Sequence, residues 1–277
     1  KTLFPYTTLF RSLSAARGGL AMLSYTRLAH DEATAQVAPA PGDALALDPA
    51  EFDTDDAAGE VGPDDLPAGA SAGLFVHDLL EHAELAVVRA HADPAAWAAE
   101  PEVEALLAAK ARERGIARRY LGHAAQLAHR ALTAPLALTD GATLPPLADA
   151  AQLAREVEFG FPLPTPAGAP PRGLVKGFID ALVAWDDDLW VLDYKTDALA
   201  GDDLAAAAQR RVRERYAVQA RLYALAADRL RGPRRLAGLL YAFVRHAVVV
   251  PVRTTPRGLD DWAGWLARVA AAPEAAR

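Results

Sequence analysis

The sequence contains no cysteine. Disulfides, cysteine-ligated zinc and iron–sulfur clusters are therefore excluded, which fits a reducing cytoplasm. No run of eighteen apolar residues occurs, so no membrane-spanning helix is indicated. Positive charge is in short supply: 29 Lys and Arg stand against 36 Asp and Glu, a net charge of −7. A free-standing protein that coats nucleic acid is not built that way, so any grip on a polyanion must be local or supplied by partners. The phosphate-cradling pattern G-x-x-x-x-G-K-[ST] is also missing, so this stretch of chain is not expected to hydrolyse ATP. The hydrophobic fraction is 52 %, but much of it is alanine, which buries little area. A length of 277 residues allows one large domain or two small ones.

The chain is organised around Leu174 to Asp197, LVKGFIDALVAWDDDLWVLDYKTD. Two apolar runs flank the acidic turn Asp186-Asp187-Asp188, the pattern of a β-hairpin. With side chains alternating at period two, Asp193 and Lys195 project from one face of the second strand, and Trp190, Leu192 and Tyr194 from the other. On the first strand Lys176 and Asp180 are expected on one side, together with Phe178 and Leu182. Carboxylates and a lysine among buried strands are costly unless paired or bound to metal. One reading is an edge salt bridge. The other is a divalent-metal site, since carboxylate oxygens suit Mg²⁺ and a neighbouring lysine can orient water or stabilise charge on phosphate.

Gly177-Phe178-Ile179-Asp180 followed by Leu192-Asp193-Tyr194-Lys195-Thr196 resembles the core of the PD-(D/E)XK nucleases, and more closely the C-terminal nuclease domains of the RecB type. Further segments match in order. Leu23-Ser24-Tyr25-Thr26-Arg27-Leu28 is similar to the segment that opens those domains, and is also a possible helix start capped by Ser24. The stretch from Ser71, SAGLFVHDLLEHAEL, is helical in pattern, with Leu74, Leu79, Leu80 and Leu85 near one stripe. It resembles the segment whose histidine binds metal, which assigns His77 to the metal and leaves the part of Glu81 open. Arg155 to Leu163 alternates like a strand, with Glu156 and Glu158 on one face and Val157, Phe159 and Phe161 on the other. By resemblance an active-site-region glutamate falls on Glu156, or on Glu158. Leu204 to Leu230 reads as one long helix or two. Within it Tyr216, Gln219 and Tyr223 share a face, and Gln219-x-x-x-Tyr223 resembles a motif that lies near the metal and helps hold the DNA strand. Arg210, Arg211, Arg213 and Arg215 are candidate phosphate contacts, with solvated surface as the rival reading. Arg235 to Arg245 and Ala247 to Arg253 read as strands joined at Arg245-His246, and Gly258 to Ala271 as a closing helix with Trp262 and Trp265.

Outside these motifs, residues 1–12 resemble the translation of a sequencing adapter and are set aside as an artefact, which implies that an N-terminal part of the protein lies elsewhere. Residues 13–38 form a lead-in segment. Residues 39–70, rich in Ala, Pro, Gly and Asp, read as a solvated acidic linker. The nuclease-like domain is placed at 71–277. Pro94 to Leu132 reads as two or more alanine-rich helices, whose Lys110, Arg112, Arg114, Arg118 and Arg119 form a solvated basic face in preference to a DNA-facing one. Pro135 to Pro146 reads as a turn-rich break.

The resemblance implies an α/β fold of restriction-endonuclease-like type, a mixed central sheet flanked by helices. It implies hydrolysis of DNA phosphodiester bonds, with Mg²⁺ held by His77, Asp180, Asp193 and the backbone carbonyl of Tyr194, and Lys195 acting on the attacking water or on the developing charge. It further implies fusion to an N-terminal helicase region, RecC-like and RecD-like partner subunits, and linear DNA substrates arising as single strands from unwound duplex. Two other readings stay open. One is an AddA-type nuclease domain, against which Leu236 to His246 favour RecB; the other is a catalytically silent docking or DNA-holding module. Relatives of this superfamily that carry an iron–sulfur cluster are disfavoured by the missing cysteines.

Overall fold

The expected hairpin is the spine of the sheet. In the computed structural model, which describes residues 21–23, 62–165 and 173–271, strand β5 (Gly173–Trp185) turns back through Asp186 and Asp187 into β6 (Asp188–Lys195). The two are antiparallel, with Trp185 opposite Asp188 and Ala181 opposite Leu192. Asp186 has φ +51°, a left-handed conformation that a short polar side chain tolerates better than an apolar one.

Around this spine six strands make one sheet. The path is β1 (Ala21–Leu23), β5, β6, β7 (Arg235–Phe243) and β8 (Val248–Arg253), with β4 (Gln152–Pro162) on the other edge of β5. β4 runs antiparallel to β5 along nearly its whole length. β1 runs parallel to the first residues of β5, and β7 parallel to β6. The register of β6 and β7 shifts between Leu189 and Trp190, where Gly238 sits at φ +153° with Val252 O so close that a Cβ would collide. A side chain is not accommodated at that bulge. The sheet is mixed and flanked by helices, as expected.

One core lies against α1 (Ala70–His82), α2 (Leu85–Ala90), α3 (Pro94–Ala98), α4 (Pro101–Arg114) and α5 (Leu121–Thr133). Phe75, Val76, Leu79 and Leu80 of α1 belong to the same core as Trp190, Leu192 and Tyr194 of β6. The second core holds α6 (Leu204–Arg215), α7 (Ala217–Leu230) and α8 (Pro256–Ala271) against the opposite face, where Val175, Ile179, Val191 and Leu239 point. Of the two readings open for Leu204 to Leu230, one helix or two, the structure has two, broken at Tyr216. The break between Pro135 and Pro146 holds a small hairpin, β2 (Leu136–Ala137) with β3 (Thr143–Leu144), each strand too short to show alternation in sequence.

Two expectations are corrected by the structure. Phe178 and Leu182 do not share a side of β5. Val175 and Ile179 face the α6–α8 core, and so do Leu182 and Ala184, while Ala181, Val183 and Trp185 face the other. Strict alternation would have kept Ile179 with Ala181; the strand changes faces at Asp180. Its neighbour does the same at Glu156, which has φ +47° and lies between the pairs Arg155–Ala181 and Val157–Ile179, so that Ala154 and Val157 face one core. The reading of 39–70 as solvated differs at its end: Leu66 is fully buried. Residues 1–20, Ser24–Leu28, most of the acidic linker and the loop 166–172 lie outside the described residues.

Candidate active site

The face change opens a fork in the sheet. β5 and β6 remain paired up to Ala181 and Leu192, and beyond that pair they separate. The residues next beyond that last pair are Asp180 and Asp193, so two carboxylates stand where the strands diverge. The backbone N–H of Tyr194 has lost its strand partner there and donates to Asp180 Oδ2 at 2.7 Å. That bond satisfies a buried donor and fixes the Asp180 side chain across the fork.

Asp193 and Lys195 share a face, as period two requires, with Lys195 Nζ 2.9 Å from Asp193 Oδ2. Both are nearly inaccessible, at 1 % and 3 % exposure. Tyr216 and Tyr241 line the same side: the ammonium lies 4.1 Å from the centroid of the Tyr216 ring and 6.0 Å from that of Tyr241. On the opposite face Tyr194 meets His77 of α1 edge to face, with ring centroids 5.9 Å apart. His77 Nδ1 is 3.6 Å from Asp180 Oδ2.

His77 is carried there by α1, and α1 is held at both ends of its last turns. Arg155 of β4 donates from Nη1 to the carbonyls of Leu80, Glu81 and Ala83, three acceptors at the end of the helix. Asp78 is gripped by Arg114 through two bonds, at 2.7 and 3.1 Å, with Lys110 at 3.9 Å. Two cations of the proposed basic face are thus internal ties. Glu81 lies 3.5 Å from His82 Nδ1 instead of joining the fork.

Gln219 and Tyr223 lie buried on α7, and Gln219 Nε2 donates to Tyr223 Oη at 3.2 Å. Glu156 is exposed on β4 across from Asp180. Glu158 is drawn away to Lys176 Nζ at 2.6 Å, which distinguishes the two glutamates that the sequence left open. Arg210, Arg213 and Arg215 are exposed on α6, whereas Arg211 donates to Asp197 Oδ1 at 3.0 Å.

Burial holds the phenol of Tyr194 well above the ordinary tyrosine pKa, with the Asp180 charge adding to the effect. Burial does the same to Tyr216, opposed by the Lys195 ammonium and assisted by Asp197. Both rings are neutral at ordinary pH and do not serve as bases.

Whether these groups suit a divalent cation is a question of donor chemistry. Two carboxylates at the fork and an imidazole beside one of them offer hard oxygen donors and one nitrogen. Among the described residues no three His, Asp or Glu groups close into a ready-made cluster; His77 stands with Asp180, and Asp193 with Lys195. A small divalent cation asks for only one or two protein carboxylates, the rest of its shell being water and phosphate. The pair at the fork fits that demand.

The sequence profile of the PD-(D/E)XK nuclease superfamily matches residues 52–276. The chain belongs to that superfamily. Its mixed sheet and flanking helices are the restriction-endonuclease-like fold, and nucleases of this kind typically use divalent metal ions. Curated relatives include an ATP-dependent helicase/nuclease subunit of the A type from Listeria monocytogenes serotype 4a (strain HCC23), 33 % identical over 95 residues, and its counterpart from Listeria welshimeri serovar 6b, 32 % identical over 98 residues. The matched stretch is about a third of this chain, and the chain spans 8 % of the relatives' length. Among the described residues no helix is long and apolar enough to cross a membrane.

Sequence reasoning missed Asp197, whose side chain is 8 % exposed and accepts from both Arg211 and Tyr216. The signal was present, since Asp197 follows Lys195 by two. Tyr241 falls on the tyrosine of a strand pattern shared with RecB-type domains, but nothing in its own strand marks it as a partner of Tyr216.

Proposed function

We propose that this domain is a Mg²⁺-dependent deoxyribonuclease that hydrolyses DNA phosphodiester bonds as the nuclease part of a cytoplasmic helicase–nuclease engaged in processing double-strand breaks. The hairpin fork carries the reading: Asp180 and Asp193 just beyond the last paired residues of the two strands, with Lys195 2.9 Å from Asp193 and His77 3.6 Å from Asp180. His77, Asp180, Asp193 and the Tyr194 carbonyl would hold the cation, which when bound polarises a phosphate oxygen and acidifies a bound water. Lys195 orients the attacking water and stabilises charge on the phosphate oxygens as one ester O–P bond breaks and the bond to water forms. Gln219 and Tyr223 position the strand, and Glu156 completes the acidic rim from β4.

For the wider assembly, the A-type designation of the curated helicase/nuclease relatives favours an AddA-type setting. The stretch from Leu236 to His246 instead points to a RecB-type one, with RecC-like and RecD-like partners and an N-terminal helicase region. Co-purification of partner subunits with the intact gene product distinguishes the two.

The activity itself is tested on linear single-stranded DNA. Wild-type protein with Mg²⁺ should shorten it, chelation should stop the reaction, and Asp193→Ala or Lys195→Ala should each slow it by at least about 10²-fold. A silent DNA-holding module would leave the DNA intact, with the variants indistinguishable from wild type.

A further inference from the structure

The strand alone does not fix where the Lys195 ammonium points, because a lysine side chain is long and rotatable. Its surroundings do. Asp193 Oδ2 lies on one side at 2.9 Å and the face of Tyr216 on another, with the ammonium 4.1 Å from the ring centroid. That ring is stacked on Tyr241, centroids 5.6 Å apart and planes 12° from parallel, and Tyr241 Oη donates to the Tyr216 carbonyl at 3.3 Å. The hydroxyl end of Tyr216 is anchored as well, donating to Asp197 Oδ1 at 2.9 Å, the same oxygen that Arg211 Nη1 reaches at 3.0 Å.

The backbone gives independent support. The helical pattern from Leu204 to Leu230 is interrupted at Tyr216, with φ −108° and ψ 9°. Arg215, Tyr216 and Ala217 include neither proline nor glycine, so the usual sequence causes of a break are missing. A continuous helix would turn the ring to a different bearing. The break instead places it between Lys195 and Tyr241.

We propose that Tyr216 is a positioning residue whose ring face, braced by Tyr241 and by the Asp197–Arg211 pair, holds the Lys195 ammonium toward Asp193 in the geometry that phosphodiester hydrolysis uses. This rests on the nuclease reading above. It differs from a plain core role in what it demands of the side chain: an aromatic face over the ammonium, with the hydroxyl serving only as the anchor.

The test compares wild type, Lys195→Ala, Tyr216→Phe and Tyr216→Leu in the full chain. DNA degradation is measured over a range of substrate concentrations with Mg²⁺. In protein carrying ¹³C-labelled lysine, the side-chain resonances of Lys195, one of four lysines in the sequence, are recorded alongside. A group over an aromatic face is shifted upfield, and that shift is read without turnover. Expected are an upfield Lys195 ε-methylene in wild type and Tyr216→Phe, a loss of about 10- to 100-fold in kcat for Tyr216→Leu with KM changed less than about twofold, and recovery in Tyr216→Phe to within about threefold of wild type. An unshifted Lys195 in wild type overturns the proposal, even if Tyr216→Leu fails to fold. So does a folded Tyr216→Leu that retains wild-type kcat, or a Tyr216→Phe as impaired as Tyr216→Leu. Inactivity of wild type, or activity of Lys195→Ala, instead refutes the nuclease reading and leaves the resonance shift to judge the positioning.

Discussion

A carboxylate and an ammonium, each almost sealed from water and 2.9 Å apart, are stable only as a pair, because either alone is a buried charge without compensation. Removing one partner of such a pair costs about 3–5 kcal/mol, whereas removing both with apolar or amide replacements costs much less. Asp193→Asn and Lys195→Met are therefore each expected to destabilise the domain, and the double variant to fall well short of the sum, as chemical denaturation of all four proteins would show. Additive losses would mean that the two side chains do not depend on each other. The placement of this pair on one strand face was legible because β6 alternates without interruption from Leu189 to Lys195. The side of Asp180 was not. Its strand changes face where the neighbouring strand turns left-handed at Glu156, and glutamate, unlike glycine or asparagine, gives no sequence sign of such a conformation.

Elements are tied to one another largely through arginine and histidine side chains that meet backbone groups. The segment ahead of α1 shows this best. The N–H of Leu66 donates to His123 Nδ1 of α5 at 2.8 Å, and Arg245 donates to the carbonyls of Leu66 and Pro67 and, on the same guanidinium, to Thr196 just after Lys195. Polar composition made this segment look like solvated linker; a single buried leucine and two distant side chains decide otherwise, and such long-range ties leave no local pattern. Nδ1 must be unprotonated to accept from Leu66. Burial lowers the His123 pKa below its ordinary value, opposed by nearby Asp65 and reinforced by Arg245 and Arg130. The folded state then binds a proton less readily than the unfolded chain, so stability falls as pH drops from the ordinary histidine value of 6.5 toward the lowered native one. Denaturation midpoints measured from pH 7.5 downward should decline in that window, and His123→Gln, which keeps an acceptor but cannot titrate there, should flatten the decline. An equal decline in both proteins would assign the effect to other groups.

At the scale of the whole molecule the sheet separates two apolar cores, and the fork is approached from both: His77 comes from the helices on one face and stands beside Asp180, and Tyr216 comes from those on the other and stands beside Lys195. The motifs in sequence order were enough to expect this α/β architecture, because those that fall on described residues lie on separate elements of the sheet and its flanking helices. Charge is distributed differently. With a net −7 the chain repels DNA at long range, so attraction has to come from a few exposed cations. Arg210 and Arg213, three apart on α6, share an exposed face, and Arg211 between them ties that helix to Asp197 beyond Lys195. If the two arginines each neutralise one phosphate of a single strand, each contributes about 0.7 to the slope of log affinity against log salt. Arg210→Gln with Arg213→Gln should then weaken binding most at low salt and reduce the slope by about 1.4. The turnover rate at saturating DNA should be little changed, because neither side chain reaches the fork. Binding isotherms at several salt concentrations read both quantities; an unaltered slope would return the two arginines to the status of solvated surface and move the DNA path off α6.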